Sequence, residues 1–186
     1  MNRTKSTMRI THIDYTILGL LKQQPGTAYG IRKIFETTAL GNFSSSPGTI
    51  YPAVRKLKKL GFVVDTDKHK RGSTMKLTDA GIAALKKWLL LPVKKEDITR
   101  NTNLLILRFA FMDDLIDMTS RVGFLEGFVH QVTMYLEELN IFYQKNADTL
   151  PVQGRIAFEH GLMQCQAHLK WGIHALKTLK VKGYEN

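Results

Sequence analysis

Apolar side chains recur every seven residues along residues 117–146, and this periodicity constrains the fold of the 186-residue chain more than any other feature. Heptad rows predict a long α-helix whose apolar face packs against another helix, within the chain or in a second copy. Asp148–Pro151 should break this helix, and a second periodic segment runs from about Gln153 to Lys180, so we expect a helical hairpin. The rows are Leu125, Val132 and Leu139; Val129, Leu136 and Tyr143; Phe128, Tyr135 and Phe142; and, in the second segment, Leu162, Leu169 and Leu176 with Phe158, Cys165 and Leu179.

The apolar face of this hairpin is too wide for its two helices to cover by themselves. We therefore expect a homodimer, which would present two identical binding surfaces to a palindromic partner. The face that packs within the chain and the face that forms the dimer seam are left open at this point. The candidate dimerisation residues are Leu125, Val129, Val132, Leu136, Leu139, Tyr143, Leu162, Leu169 and Leu176.

The net charge of +11 lies entirely in the first half of the chain. Residues 1–91 contain 16 Lys and Arg against 5 Asp and Glu, whereas residues 92–186 contain 11 of each kind. This asymmetry indicates a module that binds nucleic acid or another anionic surface, joined to a segment with a different role. A solvated basic face is the alternative interpretation of the charge alone.

Three short helices are predicted within the basic half. The first spans about Ile13–Lys22, the second about Ala28–Thr38, and the third starts with Ser46 as N-cap and Pro47 as its first residue. Gly61 should end the third helix, and Pro52 should kink or loosen it. Its apolar stripe is Ile50, Val54, Leu57 and Leu60, which leaves Arg55, Lys56, Lys58 and Lys59 for solvent or a partner.

A β-hairpin is predicted next, with strands near Phe62–Asp65 and Thr74–Thr78 around a basic turn. A helix over about Ala80–Leu91, capped by Thr78 or Asp79, follows it. Three helices and a basic hairpin are the layout of a winged helix-turn-helix. The predicted fold class is mainly α, with this winged domain at residues 1–91 and a helical dimerisation and effector domain at residues 92–186.

Several motifs in this half resemble the PadR family of bacterial transcriptional regulators. Ile17–Leu21 is similar to the I-L-G-L-L of the family's first helix, and Ala28–Ile31 to the entry of its second. Ser46–Leu57 resembles the family's S-x-G-T-[LI]-Y-P-x-[LV]-x-x-L recognition helix, and Leu77–Gly81 its L-T-x-x-G. Gly72–Lys76 departs from the family, which usually has a basic residue and paired tyrosines there.

The resemblance implies that Ser46, Thr49 and Tyr51 lie at or near a DNA surface. Tyr51 has a second interpretation, as a core aromatic residue with a locally bonded hydroxyl. From the residues themselves, we expect Arg55 and Lys58 to reach phosphates or guanine edges. Lys68, Lys70 and Arg71, at the tip of the hairpin, should contact phosphates.

Beyond the winged domain, Pro92–Asn103 is polar and is predicted to be a connector, and Leu104–Leu115 a buried short helix. Relatives with a virulence-activator-like C-terminal domain have a similar apolar run before long helices. Family members that respond to phenolic acids or drugs imply a small apolar or aromatic effector. Candidate effector residues are Trp88, His130 and Trp171, with core and seam packing as the alternative.

No motif in the sequence indicates an enzyme, a cofactor or a membrane span. Cys165, His168 and His160 offer metal-ligating atoms, but a third ligand on the same helix face is not evident, and Cys165 fits the apolar row. With one cysteine and no apolar signal segment at residues 1–11, we expect a protein of the reducing cytoplasm. The expected function is a homodimeric repressor that binds a palindromic operator in double-stranded DNA. A winged-helix module for protein or ligand binding is the alternative.

Overall fold

The structure is a computed structural model, and it describes residues 9–42, 46–66 and 73–182. The chain divides into two compact units, Met1–Trp88 and Leu89–Asn186. None of the described helices is long and apolar enough to cross a membrane. Within the described ranges the helices are α1 (His12–Gln23), α2 (Ala28–Thr37), α3 (Pro47–Lys59), α4 (Asp79–Leu89), α5 (Lys95–Ala110), α6 (Met118–Asn146) and α7 (Val152–Lys182), and the strands are β1 (Val63–Asp65) and β2 (Met75–Leu77).

The first unit has the predicted layout of three helices, a two-stranded hairpin and a fourth helix. α1 begins at a capping box, in which the Thr11 amide donates to the Asp14 carboxylate at 2.6 Å and the Thr11 hydroxyl accepts from the Asp14 amide. The Thr27 hydroxyl caps α2 in the same way, by accepting from the Gly30 amide at 3.0 Å. The core of the unit contains Ile17, Leu18, Phe35, Ile50, Leu57, Met75 and Leu85, all fully buried or nearly so.

α3 begins and ends where the sequence predicts. The Ser46 hydroxyl accepts from the Gly48 amide at 3.2 Å, and Pro47 is the first helical residue. The chain leaves the helix through Gly61, whose φ of 72° lies in the left-handed region that favours glycine. The helix continues through Pro52. Pro52 has no amide hydrogen, so the helix lacks the backbone hydrogen bond from residue 52 to the Gly48 carbonyl. This missing bond lies in the first turns of the helix.

The hairpin and α4 are joined by a tight crossing of the backbone. β1 and β2 are antiparallel, with Val63 opposite Leu77, and the backbone of Gly26 adds two hydrogen bonds to Met75 at 2.8 and 3.1 Å. The Thr78 amide donates to the Phe62 carbonyl at 3.0 Å, while the Thr78 hydroxyl accepts from the Gly81 amide at 3.1 Å. A Cβ atom at Gly81 would lie 2.2 Å from the Phe62 carbonyl oxygen, so only glycine fits.

In the second unit, the predicted connector over Pro92–Asn103 is wrong, because α5 starts at Lys95. The helix is amphipathic: Ile98, Thr102 and Leu105 are buried among neighbours that are mostly polar. Asn101 interrupts it with φ −161° and ψ 72°, and its side-chain oxygen accepts from the Leu104 amide at 3.2 Å to start the second segment. The predicted helix over Leu104–Leu115 therefore forms the end of α5, which stops at Ala110.

α6 and α7 form the predicted helical hairpin. The Asp117 carboxylate caps α6 by accepting from the Ser120 amide at 2.8 Å, and the turn after Asn146 ends at Pro151. Of the candidate dimerisation residues, Leu125 and Val132 have no exposed surface and Leu162 is 8% exposed within the single chain. Packing inside one chain therefore accounts for these three side chains. Val129, Leu136, Leu139, Tyr143, Leu169 and Leu176 are half-buried.

We predict that Gly81→Ala destabilises the protein, because the added methyl group collides with the Phe62 carbonyl. The free energy of unfolding should fall by about 1–3 kcal/mol, as is usual for overpacking. Urea denaturation followed by far-UV circular dichroism measures this change.

The matched control is Gly123→Ala, at a helical glycine where a Cβ atom would meet no described atom within 4 Å. Removing this glycine should stabilise α6 by up to ~1 kcal/mol. Equal stability of Gly81→Ala and the unsubstituted chain would contradict the close crossing.

Candidate nucleic-acid interface

α3 divides into a face in the core and a face in solvent. Ile50, Ala53, Val54 and Leu57 are buried, which confirms the inner stripe, while Leu60 is half-buried. Arg55 and Lys59 are exposed along the helix, and Ser46 is exposed at its start. Thr49 and Tyr51 are half-buried. The outer face thus contains hydroxyl groups near the N-terminus of the helix and cationic groups towards its C-terminus.

Ser46 has a structural bond as well as an exposed hydroxyl. Its oxygen accepts from the Gly48 amide, so the hydroxyl hydrogen is still able to donate to a phosphate or a base edge. The amide groups of the first turn and the positive end of the helix dipole also favour an anion at this end. The hydroxyl and amide donors at the start of α3 are therefore suited to bind a negatively charged polymer, in addition to the cationic side chains further along the helix.

Lys56 points into the first unit rather than to solvent. Its ammonium group forms an ion pair with the fully buried Asp14 carboxylate of α1 and also donates to the Arg9 carbonyl oxygen at 3.2 Å. The same Asp14 carboxylate accepts from the amide and hydroxyl of Thr11. The expectation that Lys56 faces solvent or a partner is wrong, because its counter-charge, Asp14, lies far from it in the sequence.

Lys58 is bound to the hairpin. Its ammonium group contacts both Asp65 carboxylate oxygens, at 2.6 and 2.8 Å, and the Ser73 hydroxyl donates to one of them. These bonds, first that of Lys58 and then that of Ser73, lower the pKa of Asp65 below its usual 3.8. Any contact of Lys58 with a phosphate therefore starts from an ion pair that already ties α3 to β1.

The predicted tip of the wing is outside the described residues. Lys68, Lys70 and Arg71 lie in the segment 67–72, between Thr66 and Ser73. Their contact with phosphates stays a prediction. Lys76 on β2 is an exposed cation that is close to this segment in the sequence, and it was not among the predicted DNA-binding residues.

The candidate effector residues are distributed over both units. Trp88 is buried in the first unit, where its ring is stacked on Tyr15 with centroids 4.8 Å apart. Trp171, in the second unit, makes edge contacts with Phe109 at 6.0 Å and Phe128 at 5.2 Å. His130 is exposed on α6. The two tryptophan rings thus contribute to packing, which was the alternative interpretation of these residues.

No group of three or more His, Cys, Asp or Glu side chains with the spacing of a metal site occurs among the residues that the structure describes. Cys165 is buried in α7, and burial raises the pKa of its thiol. His168 is half-buried, and desolvation lowers the pKa of its imidazole. His160 is exposed.

Most of the apolar side chains that α6 and α7 leave in solvent were not predicted, because all of them except Phe142 lie outside the heptad rows. Tyr143, inside a row, donates its hydroxyl to the Glu159 carboxylate and so connects α6 to α7. Helical-wheel projections of α6 and α7 drawn together would have separated the apolar side chains that pack within the hairpin from those that face solvent. The exposed apolar residues of α6 and α7 are Met134, Ile141, Phe142, Val152, Ile156, Met163, Ile173 and Val181.

Residues 17–87 match the model of the transcriptional regulator PadR-like family. Similar solved structures include a PadR-like regulator from Bacillus cereus, with 23% identity, TM-score 0.41, and coverage of 92% of this chain and 99% of that chain. Bacillus subtilis PadR in complex with operator DNA is 22% identical, with TM-score 0.39, over 91% and 99% of the two chains. The Vibrio cholerae virulence activator AphA is 19% identical, with TM-score 0.41, over 91% and 99%. A comparison with curated proteins found no significant match.

We predict that the pair Lys58–Asp65 makes stability depend on pH in acid. Because the pKa of Asp65 is lowered in the folded state, the pair stabilises the protein above the usual value near 3.8, and the contribution is lost as pH falls through the lower folded value. Asp65→Asn should therefore lower the thermal midpoint at pH 7, by the equivalent of about 0.2–1 kcal/mol for a pair that is partly in solvent. The difference should shrink below about pH 4.

The measurement is differential scanning fluorimetry of both proteins between pH 7 and pH 3. Asp148→Asn, at an exposed aspartate in the turn after α6, is the control with the same change of charge. A difference between Asp65→Asn and the unsubstituted chain that does not vary with pH would contradict the assignment.

Proposed function

Residues 17–87 belong to the PadR-like family of transcriptional regulators, and from this premise we propose that the chain is a repressor that binds operator DNA as a homodimer. The first unit would bind the double helix, and the second would hold two copies together. A regulator of this kind acts in the cytoplasm. Transcription is blocked while the operator is occupied, and a small apolar or aromatic effector would release the DNA by changing the geometry of the dimer.

The observation that carries this proposal is the outer face of α3. A helix with one face in the core and one in solvent can enter the major groove, where base edges present distinct donors and acceptors. Ser46, Thr49 and Tyr51 would lie near these edges at the start of the helix. Arg55 would bind phosphate or guanine, and Lys59, exposed one turn later, would bind phosphate.

The wing would contact the phosphates beside the groove through Lys68, Lys70 and Arg71. Lys58 has three N–H donors, of which two are directed at Asp65. The third would serve a phosphate without breaking the ion pair. Lys58 would then contribute less to the salt dependence of binding than Arg55, because part of its charge is already neutralised.

The dimer would form through the apolar surface of α6 and α7. Ile156 and Met163 are about 60% exposed and are seven residues apart, so they lie on the same side of α7. Side chains of this kind are unfavourable in water unless another surface covers them. With the half-buried residues Val129, Leu136, Leu139, Tyr143, Leu169 and Leu176, they offer a seam for a second copy. Two winged domains could then occupy half-sites about 34 Å apart.

The decisive experiment measures binding to the DNA upstream of the protein's own gene and to a scrambled duplex, by fluorescence anisotropy at two salt concentrations. Specific binding is typically tighter than non-specific binding by about 10³-fold or more. We expect a preference of this order. Equal and steeply salt-dependent binding to both duplexes would contradict recognition of that site and would require a selection of binding sites from the genome.

We predict that Arg55→Ala weakens binding to operator DNA and lowers the slope of log K against log salt by about 1, as expected for the loss of one phosphate contact. Lys86→Ala removes the same charge from an exposed position on α4 and is the matched control. Its slope should stay within the error of that of the unsubstituted chain. Identical slopes for the two variants would exclude the assignment of Arg55.

We predict that the double variant Ile156→Asp, Met163→Asp is a folded monomer at low micromolar concentration, because two carboxylates cannot be buried unpaired in the seam. Light scattering gives the mass, and circular dichroism checks the helices. Thr119→Asp, at an exposed position in the first turn of α6 and outside the seam residues, is the control and should stay dimeric. A double variant that remains dimeric would refute this seam.

A further inference from the structure

A buried arginine holds the backbone where the chain enters the second unit. Arg108 of α5 is 4% exposed, and its Nη2 atom donates to two carbonyl oxygens, that of Leu89 at 3.1 Å and that of Leu91. Its Cζ atom lies over the Phe124 ring of α6, 5.0 Å from the ring centroid. Leu89 is the first residue of the second unit. Arg108 therefore binds the first residues of this unit to α5 and α6.

The guanidinium group of Arg108 keeps its charge although it is buried. Desolvation lowers its pKa to about 10, while Asp97 in the first turn of α5 acts in the opposite direction, so the group is protonated near pH 7. The burial of a charged group is costly, and in some proteins such a group is retained because it specifies one conformation. An apolar side chain would fill the same space without this cost, but it could not bind two carbonyl groups.

Packing of side chains does not by itself fix the stretch that Arg108 binds. Leu90 and Leu91 are 54% and 48% exposed, and Pro92 is exposed as well. Residues 90–94 belong to no helix or strand of the described chain, so no regular backbone ladder holds them. The hydrogen bonds from Arg108 hold this stretch at its backbone instead.

We propose that Arg108 is a positioning residue for operator binding, which fastens the connection between the two units through the carbonyl groups of Leu89 and Leu91. A dimer gains affinity from a second half-site according to the effective concentration of its second winged domain, and a loose connection lowers this concentration. Preorganisation of this kind strengthens binding without a new contact to DNA. The role in operator binding rests on the proposed function, whereas the fastening itself does not.

The first test uses the full chain and the DNA upstream of its own gene. The duplexes contain both half-sites at their natural spacing, both half-sites with about 5 base pairs inserted between them, or one half-site alone. For the unsubstituted chain the insertion should reduce the affinity about 100-fold, because it turns one half-site to the opposite side of the double helix. For Arg108→Met this factor should fall to about tenfold or less. The affinity for one half-site should change by less than about twofold, because the winged domain is intact.

Arg121→Met is the matched control. Arg121 of α6 also donates to a backbone carbonyl of the second unit, that of Ile116 at 2.6 Å, but this carbonyl lies outside the connecting stretch. The insertion should reduce the affinity of this variant as much as that of the unsubstituted chain. Arg108→Lys keeps the charge and N–H donors and should recover part of the factor that Arg108→Met loses. This recovery distinguishes lost hydrogen bonds from lost packing.

A second measurement needs no DNA. Spin labels at Lys86→Cys in the first unit and Thr119→Cys in the second, on a chain with Cys165→Ala, report the distance between the units by double electron–electron resonance. Excess unlabelled chain of the same variant restricts the signal to distances within one chain. The distance distribution should be about twofold wider or more for Arg108→Met than for the chain with Arg108. Arg121→Met should leave the width unchanged.

A smaller insertion factor and a wider distribution for Arg108→Met, with both unchanged for Arg121→Met, would support the proposal. Equal losses of affinity for all duplexes would overturn it, as would widths that do not differ. The unsubstituted chain can overturn it alone, if the inserted base pairs cost no affinity or if its distribution is already as wide as that of Arg108→Lys. This comparison keeps the proposal testable if Arg108→Met does not fold, which circular dichroism would show. A chain that prefers no duplex contradicts the proposed function, whereas the widths alone decide on the fastening.

Discussion

Asp14 has no solvent-exposed surface, and a carboxylate in such a position requires a counter-charge, because the desolvation of an unpaired ion costs several kcal/mol. Lys56 of α3 provides it, and Thr11 adds two hydrogen bonds at the start of α1. The pair joins the first helix to the third, 42 residues away in the chain. The outer face of α3 is held at a fixed angle to the core by this interaction and by the apolar stripe around Ile50 and Leu57. Removing Lys56 would leave the Asp14 carboxylate buried without a counter-charge, which is more harmful than never having had the pair.

A second ion pair in the same last turn of α3 changes how the charge of the helix should be counted. Lys58 neutralises Asp65 on β1, just as Lys56 neutralises Asp14. Two of the four cations between Arg55 and Lys59 are therefore already paired, and Arg55 and Lys59 are the exposed ones. A charge sum over the sequence overestimates the attraction of this helix for phosphate. The pair Lys58–Asp65 also fixes α3 relative to β1 of the hairpin, and a groove-binding surface depends on such an arrangement more than on total charge.

The local elements could be predicted because local chemistry determines them. Ser46 and Pro47 start α3, Gly61 ends it, and the heptad rows give α6 and α7 almost to the residue. Pairings between distant residues could not be predicted: nothing near Lys56 in the sequence indicates Asp14. The start of α5 was missed for another reason, since its buried residues are Ile98, Thr102, Leu105 and Arg108 among charged and amide side chains, and two of the four are polar. A dimer seam cannot be assigned from the heptad rows alone, because a heptad row does not distinguish a partner helix in the same chain from one in a second copy.

The residues that obscured α5 in the sequence are the ones that interrupt it and line a cavity in the second unit. Asparagine is a weak helix former whose side chain competes for backbone hydrogen bonds, so Asn101-Thr102-Asn103 favours a break over a continuous helix. The break separates α5 into two segments, and the cavity is lined by residues on both sides of it as well as by α7. Asn101 is the one residue of α5 with a non-helical φ and ψ, so these two angles set the direction of the second segment relative to the first. The break persists because side chains beside it replace the lost backbone bonds: the Thr102 hydroxyl donates to the Ile98 carbonyl, and the Asn101 oxygen accepts from the Leu104 amide.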